Sequence, residues 1–407
     1  MIRINWWRCE TGLAFVLMLV ENHPLVTQSQ RLAAPLSSLG DKIAFLQRGD
    51  SYCPRTSEVT VRETHMSIVF LAGSQAYKLK KPVRFPYLDF STLERREAAC
   101  RAELALNRRL APDIYREVLP LTYAQGGLAI GGRGTVVDWV VVMKRLDESQ
   151  MFDQVLTERR LHRWQLDRVA MTLIQFYRHA SAVLTSPAAH IAKFLQEFSL
   201  NRRVLLNPCL ELSSGLVQSI DATQRHFLRM HKEYLAERVL SRNIVDGHGD
   251  LRPEHIWLGD PVRIIDCLEF NARLRMVDPL DEIAFLSVEC ERLGAAWAGE
   301  YLRRRVVHAL HDGHPVELFV FYRCHRAMLR ARLAIAHLLE TDPRTPEKWP
   351  ALARTYLRLA AADAVRLEGS LRKRKGPRAY RRHADGGWSR PIAAQPEGCR
   401  SSSVRHR

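Results

Sequence analysis

The stretch that most limits what this chain can fold into is Asp246-Gly247-His248-Gly249-Asp250-Leu251-Arg252-Pro253-Glu254-His255, followed closely by Ile264-Ile265-Asp266. Between the two acids, residues 255–258 and 262–266 read as short strands joined by the turn Gly259-Asp260-Pro261. A hairpin returns its far end to its start. Asp250 and Asp266, 16 residues apart, are therefore expected side by side, one facing a nucleophile and the other a metal. Glycine on both sides of His248 frees the backbone to bring Asp250 close to a reacting group.

The sequence on the N-terminal side of this hairpin is β-rich. Residues 59–62, 68–71 and 76–80 read as strands, with Gly73, Ser74 and Gln75 as a hairpin turn between the last two. Ser91-Thr92-Leu93-Glu94 reads as a capping box with Ser91 at the cap, opening a helix to about Leu110. Residues 119–123 and 136–143 predict two more strands, so this part is a small sheet with one inserted helix. Beyond Asp147 helical spacing takes over. Leu166, Val169, Leu173, Phe176 and Ala180 keep one stripe, and Phe227, Met230, Tyr234 and Val239 keep a second, less regular one. Further helices are expected from about 281 to 367. The predicted organisation is an N-terminal extension (1–50, with Leu32, Leu36, Leu39, Ile43 and Leu46 on one face), a sheet lobe (51–146), a helical lobe (147–370) and a basic tail (371–407).

Charge narrows the partners. The 407 residues carry a formal +17, but residues 372–407 hold 11 basic and 2 acidic side chains. That tail accounts for +9, which leaves +8 for the other 371 residues. The tail has no folded recognition motif, so it offers nucleic acid no more than salt-sensitive backbone attraction, and no specific nucleic-acid partner is expected. Eight cysteines with no CxxC pair argue against a zinc ribbon or a disulfide scaffold and for reduced thiols in a cytoplasm. No run approaches the ~20 apolar residues of a membrane helix, and no membrane partner is expected. The nine residues 12–20, behind Arg3 and Arg8, resemble a secretory signal but lack a following small-x-small site. A buried N-terminal helix or an over-extended start fits them better. Oligomeric state is not legible.

Phosphoryl transfer from ATP needs a pair of acids like this one. One orients and deprotonates a substrate hydroxyl, and the other holds Mg²⁺ against the phosphates. It also needs a strand lysine held by a helix glutamate. Lys78 and Lys80 lie on one face of the strand after Gly73, and either could serve. On the following helix the glutamate candidates are Glu103, Glu97 and Glu94.

At this point the chain resembles the aminoglycoside phosphotransferase-like kinases. The resemblance rests on His248-Gly249-Asp250-Leu251-x-Pro253 and Ile265-Asp266. Within that family it is similar to the N-terminal half of bacterial bifunctional aminoglycoside phosphotransferase/ATP-binding proteins. That likeness rests on Val69-Phe70-Leu71-Ala72-Gly73, Tyr77-Lys78-Leu79-Lys80-Lys81-Pro82, Leu88-Asp89-Phe90-Ser91-Thr92-Leu93-Glu94, Asn107-Arg108-Arg109-Leu110-Ala111-Pro112 and Ile265-Asp266-Cys267-Leu268-Glu269-Phe270-Asn271. It implies an α+β, two-lobed protein-kinase-like fold with ATP and Mg²⁺ in the cleft. It also implies phosphate transfer to a hydroxyl of a small molecule, with Met143 meeting adenine at the hinge.

The chain departs from that pattern in four places. His255 stands where kinases place an Asn that ligates Mg²⁺, and imidazole is a poor ligand for a hard cation. Glu269 or Asn271 could supply the missing oxygen, or one ion could suffice. No glycine-rich flap is present, which leaves Thr64 and Ser67, with backbone NH groups, to cover phosphates. No GxxxxGK[ST] motif is present either, so the chain reads as a one-module form or a truncated frame. Finally, residues 279–370 hold 13 basic and 12 acidic side chains, which gives no support for a polycation pocket.

His248 is expected to brace the catalytic loop by hydrogen bonds rather than act as a base. Asp281 and Glu282 are expected to tether loop arginines such as Arg252 or Arg275. Two rival readings are a metal-dependent phosphohydrolase using His248, Asp250, His255 and Asp266 as ligands, and a non-catalytic nucleotide-binding module.

Overall fold

The computed structural model describes residues 37–85, 87–340, 343 and 345–373. The run at 12–20, Leu32, Leu36 and the basic tail beyond 373 lie outside these residues. The chain is α+β and two-lobed, with an antiparallel sheet in the first lobe and helices making up most of the second.

The first lobe begins with helix α1 (Leu39–Leu46), then β1 (Val59–Glu63), β2 (Ser67–Ala72), β3 (Gln75–Lys80) and the short pair β4 (Arg84–Phe85) and β5 (Leu88–Asp89). Helix α2 (Leu93–Asn107) and strands β6 (Tyr115–Ala124), β7 (Gly127–Ile130) and β8 (Thr135–Lys144) complete it. The six-stranded sheet runs β1-β2-β3-β8-β6-β7. Strand β7, paired with the end of β6, is absent from the sequence reading, because four residues beside two glycines leave almost no alternation to detect.

Period-two alternation sorts this sheet into two faces. Val69, Leu71, Ala76, Val141 and Met143 pack on one side, together with Cys100 of α2. Ile68, Phe70, Tyr77, Leu79, Val140 and Val142 pack on the other, where Leu39, Ile43 and Leu46 of α1 cover them. Residues 39–46 of the expected extension are thus part of this lobe's core. Lys42 fixes them there through Asp138 (2.7 Å) and the carbonyl of Val137 (2.9 Å).

The cap of α2 is Thr92 and not Ser91. The Thr92 side chain accepts from the amide of Arg95. The Ser91 hydroxyl is taken by Asp89 Oδ1 at 2.6 Å, a local turn that competes with capping.

The second lobe contains α3 (Phe152–Thr157), α4 (Arg163–His179), α5 (Pro187–Leu205), α6 (Ser214–Met230) and α7 (Lys232–Leu240). After β9 (Val245–Asp246) come the hairpin β10 (Ile256–Trp257) and β11 (Arg263–Ile264), the single turn α8 (Ala272–Arg275) and β12 (Met276–Val277). Helices α9 (Pro279–Arg292), α10 (Ala296–Ala309), α11 (Val316–Ala336) and α12 (Lys348–Lys373) follow. The stripe on α4 is buried as expected. The second expected stripe is broken: α6 ends at Met230, whose side chain is exposed, and α7 starts afresh after His231.

Asp153 on α3 is a buried carboxyl that burial, and then nearby Glu254, push up to about 8. The folded state then keeps a proton that the unfolded chain releases. Stability from this group is therefore full at low pH and lost as pH rises toward 8. In urea unfolding, Asp153→Asn is expected to match the wild-type midpoint near pH 4 and exceed it at pH 8.

Candidate active site

Strand β3 alternates in and out of the sheet, so Lys78 and Lys80 point to the same face as Ala76, toward α2 and the second lobe. Glu103 of α2 is fully buried and accepts from both: Lys78 Nζ at 2.7 Å on one oxygen and Lys80 Nζ at 2.7 Å on the other. Two ammonium groups make burial of this carboxylate tolerable and hold it below the usual carboxylate range against the opposing effect of burial. Glu97, by contrast, is engaged by Arg101 one turn along α2. Each lysine then reaches across to the second lobe. Lys78 Nζ lies 2.9 Å from Asp266 Oδ1, and Lys80 Nζ lies 2.5 Å from Glu269 Oε1.

Asp266 sits just past β11 with φ +61°, a left-handed conformation uncommon for a residue with a side chain. Three groups from the first lobe fix its neighbourhood. Tyr115 Oη accepts from the Asp266 amide (3.2 Å), Asn107 Oδ1 accepts from the Cys267 amide (2.8 Å), and Arg109 donates to the Asp246 and Gly247 carbonyls (both 2.9 Å). Burial works against charge on Asp266, but Lys78 and then His255 hold it well below the ordinary range.

Asp250 lies in the loop after β9, 4% exposed. Its Oδ2 accepts from Arg252 Nε at 3.2 Å. Arg252, followed by His255, keeps the acid ionised despite burial. His255 stands between the two acids. Its Nδ1 is 2.8 Å from the Asp250 carbonyl, and its Nε2 is 3.7 Å from Asp266 Oδ2. His248 braces the loop as expected: Nε2 is 2.8 Å from the carbonyl of Ile265, and Nδ1 is 3.3 Å from the Asp250 amide. Burial, then His255, push its imidazole down to about 3, so it is neutral.

The expected tether by Asp281 and Glu282 is corrected. Arg252 pairs with Asp250, Arg275 with Asp246 (2.7 Å), and Asp281 with Arg326 in a two-pronged contact (2.7 Å each). Glu282 binds backbone instead. Its carboxylate accepts from the His248 amide (3.1 Å), the Gly249 amide (2.5 Å) and Tyr177 Oη (3.0 Å). This explains both glycines. A Cβ on Gly247 would lie 2.6 Å from Glu282 Oε2, and Gly249 adopts φ +88°. Glu282 sits on a distant helix, so no spacing rule points to it; Arg252, two residues from Asp250, lies within the motif and pairs with that acid.

Met143 pairs with Ala76 at the end of β8 and packs beneath the sheet with Val69, Val141 and Ile265. Ser67 is buried opposite Lys80. The Thr64 hydroxyl accepts from the Ser67 amide (2.9 Å) and donates to its carbonyl (3.0 Å), so it closes its own turn. At the tip of that turn His65 stacks on His337 of the second lobe, with ring centres 5.3 Å apart.

The oxygen donors suit one magnesium ion. Asp266 keeps its charge and is partly open to the cleft, which matches a cation held by one or two carboxylates plus phosphates and water. Glu269 is held by Lys80, and His255 adds a nitrogen where a second oxygen would be required.

Beside Gly249, on the side of α5 and α11, is a small cavity lined by His190, Lys193, Phe194, Asp281, His325 and Arg326, among others.

No family model matches the sequence. The chain is 32% identical over 319 residues to uncharacterised proteins of Mycobacterium tuberculosis and Mycobacterium bovis. The match takes in 77% of this chain and 59% of the relatives, so the chain spans about three-fifths of their length. Among solved structures, an aminoglycoside phosphotransferase in its apo form matches with TM-score 0.47 and 13% identity over 80% of this chain and 98% of that one. A choline kinase from Cryptosporidium parvum matches with TM-score 0.45 and 10% identity, covering 78% and 90% of the two chains. A choline/ethanolamine kinase family protein from Mesorhizobium loti gives 0.43 and 17%, covering 76% and 92%. These TM-scores decide nothing about activity. Among the described residues no helix is long and apolar enough to cross a membrane.

Proposed function

We propose that the chain is an ATP-dependent phosphotransferase of the aminoglycoside phosphotransferase-like type, passing the γ-phosphate to a hydroxyl of a small molecule. One observation carries this reading: Lys78 joins Glu103 of the sheet lobe to Asp266 of the helical lobe, with Asp250 on the adjoining glycine-flanked loop. Lys78 is the phosphate-binding lysine on this reading, and Lys80 locks Glu103 and Glu269. On this reading ATP would enter the cleft between the lobes, with the end of β8 at Met143 on the adenine side. Bound magnesium neutralises charge on the phosphates. Asp266 is the residue that holds it, and Asp250 orients the acceptor hydroxyl and takes its proton. Arg252 keeps Asp250 ionised and steadies its carboxylate. The phosphohydrolase alternative is disfavoured, because His248 spends both ring nitrogens on backbone and cannot also ligate a metal.

The test is calorimetric titration of ATP with and without Mg²⁺, paired with ATP consumption over a metabolite panel. Wild type should bind ATP with Mg²⁺ present, and Asp266→Ala should lose the tightening by Mg²⁺, an effect of ten-fold or more. A wild-type protein that binds no nucleotide at any Mg²⁺ or Mn²⁺ level would end the proposal.

A further inference from the structure

The cavity beside Gly249 carries a charge pattern that its carboxylates alone would not suggest. Three acids line it, and each is already matched by an arginine. Asp278 takes Arg238 through two contacts (2.6 and 2.7 Å), Asp281 takes Arg326 likewise (2.7 Å each), and Glu197 takes Arg332 (2.7 Å). A cationic ligand entering here would find each of those acids already paired with an arginine.

The cations and neutral donors are less fully used. Lys193 Nζ donates to the carbonyl of Met276 at 3.0 Å, and among the described residues no carboxylate lies within ion-pairing distance of it. Burial, followed by the neighbouring Arg326, lowers its pKa, as expected for an ammonium group lacking a counter-ion. His190 Nε2 and His325 Nδ1 are buried, line the same cavity and have no hydrogen-bond partner, although their side chains are only 6% and 5% exposed. Buried polar atoms in native proteins are satisfied as a rule, and two orphans around one cavity mark a place where a ligand completes the set. Burial pushes these imidazoles down to about 4 and about 3, so they are neutral and can each donate one N–H to an oxygen.

We infer that this cavity seats the oxyanion of the acceptor, a carboxylate or a phosphate ester, through Lys193, His190 and His325. Gly249 lines the same cavity, so the acceptor's hydroxyl is presented to the Asp250 loop. The acceptor is therefore a hydroxylated acid or a sugar phosphate and not an amino alcohol or aminosugar. This inference rests on the phosphotransferase reading for the role of the ligand, but not for its charge.

The experiment uses the full chain and four matched probes in calorimetric titration: glycerate, glycerol 3-phosphate, glycerol and ethanolamine. The same compounds are then offered as acceptors with ATP and Mg²⁺. Glycerate or glycerol 3-phosphate should bind at least ten-fold tighter than the neutral and cationic probes, and which of the two prevails identifies the oxyanion. Lys193→Met and His325→Gln, each checked for fold by circular dichroism, should each weaken that probe ten-fold or more. The inference is overturned if no probe binds, if glycerol or ethanolamine binds as well as the anions, or if both variants bind like wild type. ATP consumption driven by ethanolamine alone would sink this inference and leave the phosphotransferase reading standing. Tight oxyanion binding without any ATP binding would do the reverse.

Discussion

An Asp250→Asn protein is expected to bind ATP as wild type does and to turn it over about 10²–10⁴-fold more slowly. Asparagine preserves the volume at a position only 4% exposed, so the loop has no steric reason to move. The substitution removes the negative charge that Arg252 and His255 hold ionised in the folded protein, the charge that takes the hydroxyl proton on the proposed function. Ionisation there is favoured at every pH above the ordinary carboxylate range. An acid limb of activity caused by this group should therefore lie below that range and vanish in the variant. Turnover by Asp250→Asn equal to wild type would remove Asp250 from catalysis and favour a regulatory nucleotide-binding module.

The second large effect is on stability. Glu282→Ala strips the acceptor from two backbone amides and from Tyr177 Oη, all in the protein interior. Leaving such donors unsatisfied costs about 1–3 kcal/mol each, so a loss on the order of 4 kcal/mol is expected in urea unfolding. Glu282→Gln should lose less, because its carbonyl oxygen still accepts. Turnover should fall in both variants, since the loop that carries Asp250 has no other anchor of this kind among the described residues. If Glu282→Ala unfolds at the wild-type midpoint, the carboxylate is not what shapes the loop.

The residues of this site differ widely in how far the sequence reveals them. Asp250 and Asp266 announce themselves through glycine spacing and a hairpin, which are local features. Lys78 and Lys80 could not be separated by sequence, because period two puts both on one face. The structure shows why: Glu103 has two oxygens and uses one for each lysine, while Asp266 and Glu269 divide them on the far side. Ser91 does not cap α2 for a local reason, since Asp89 captures its hydroxyl. Asp281 and Glu282 do not meet the loop's arginines for a non-local one. Their true partners, Arg326 and the His248–Gly249 backbone, come from other parts of the chain.

The sequence by itself determined the α+β division, the strands of the sheet lobe apart from β7 and the short pair β4 and β5, and the order of lysine, glutamate and two acids. Periodicity, turn residues and capping act over a few positions and can be read there. Tertiary structure alone decided which charges neutralise one another. An ion pair across the cleft or a carboxylate beneath a loop depends on which elements meet in space, and burial decides how much each meeting matters. It also separated the matched acids around the cavity from its unmatched lysine and two orphan imidazoles, which a count of charges along the chain does not distinguish.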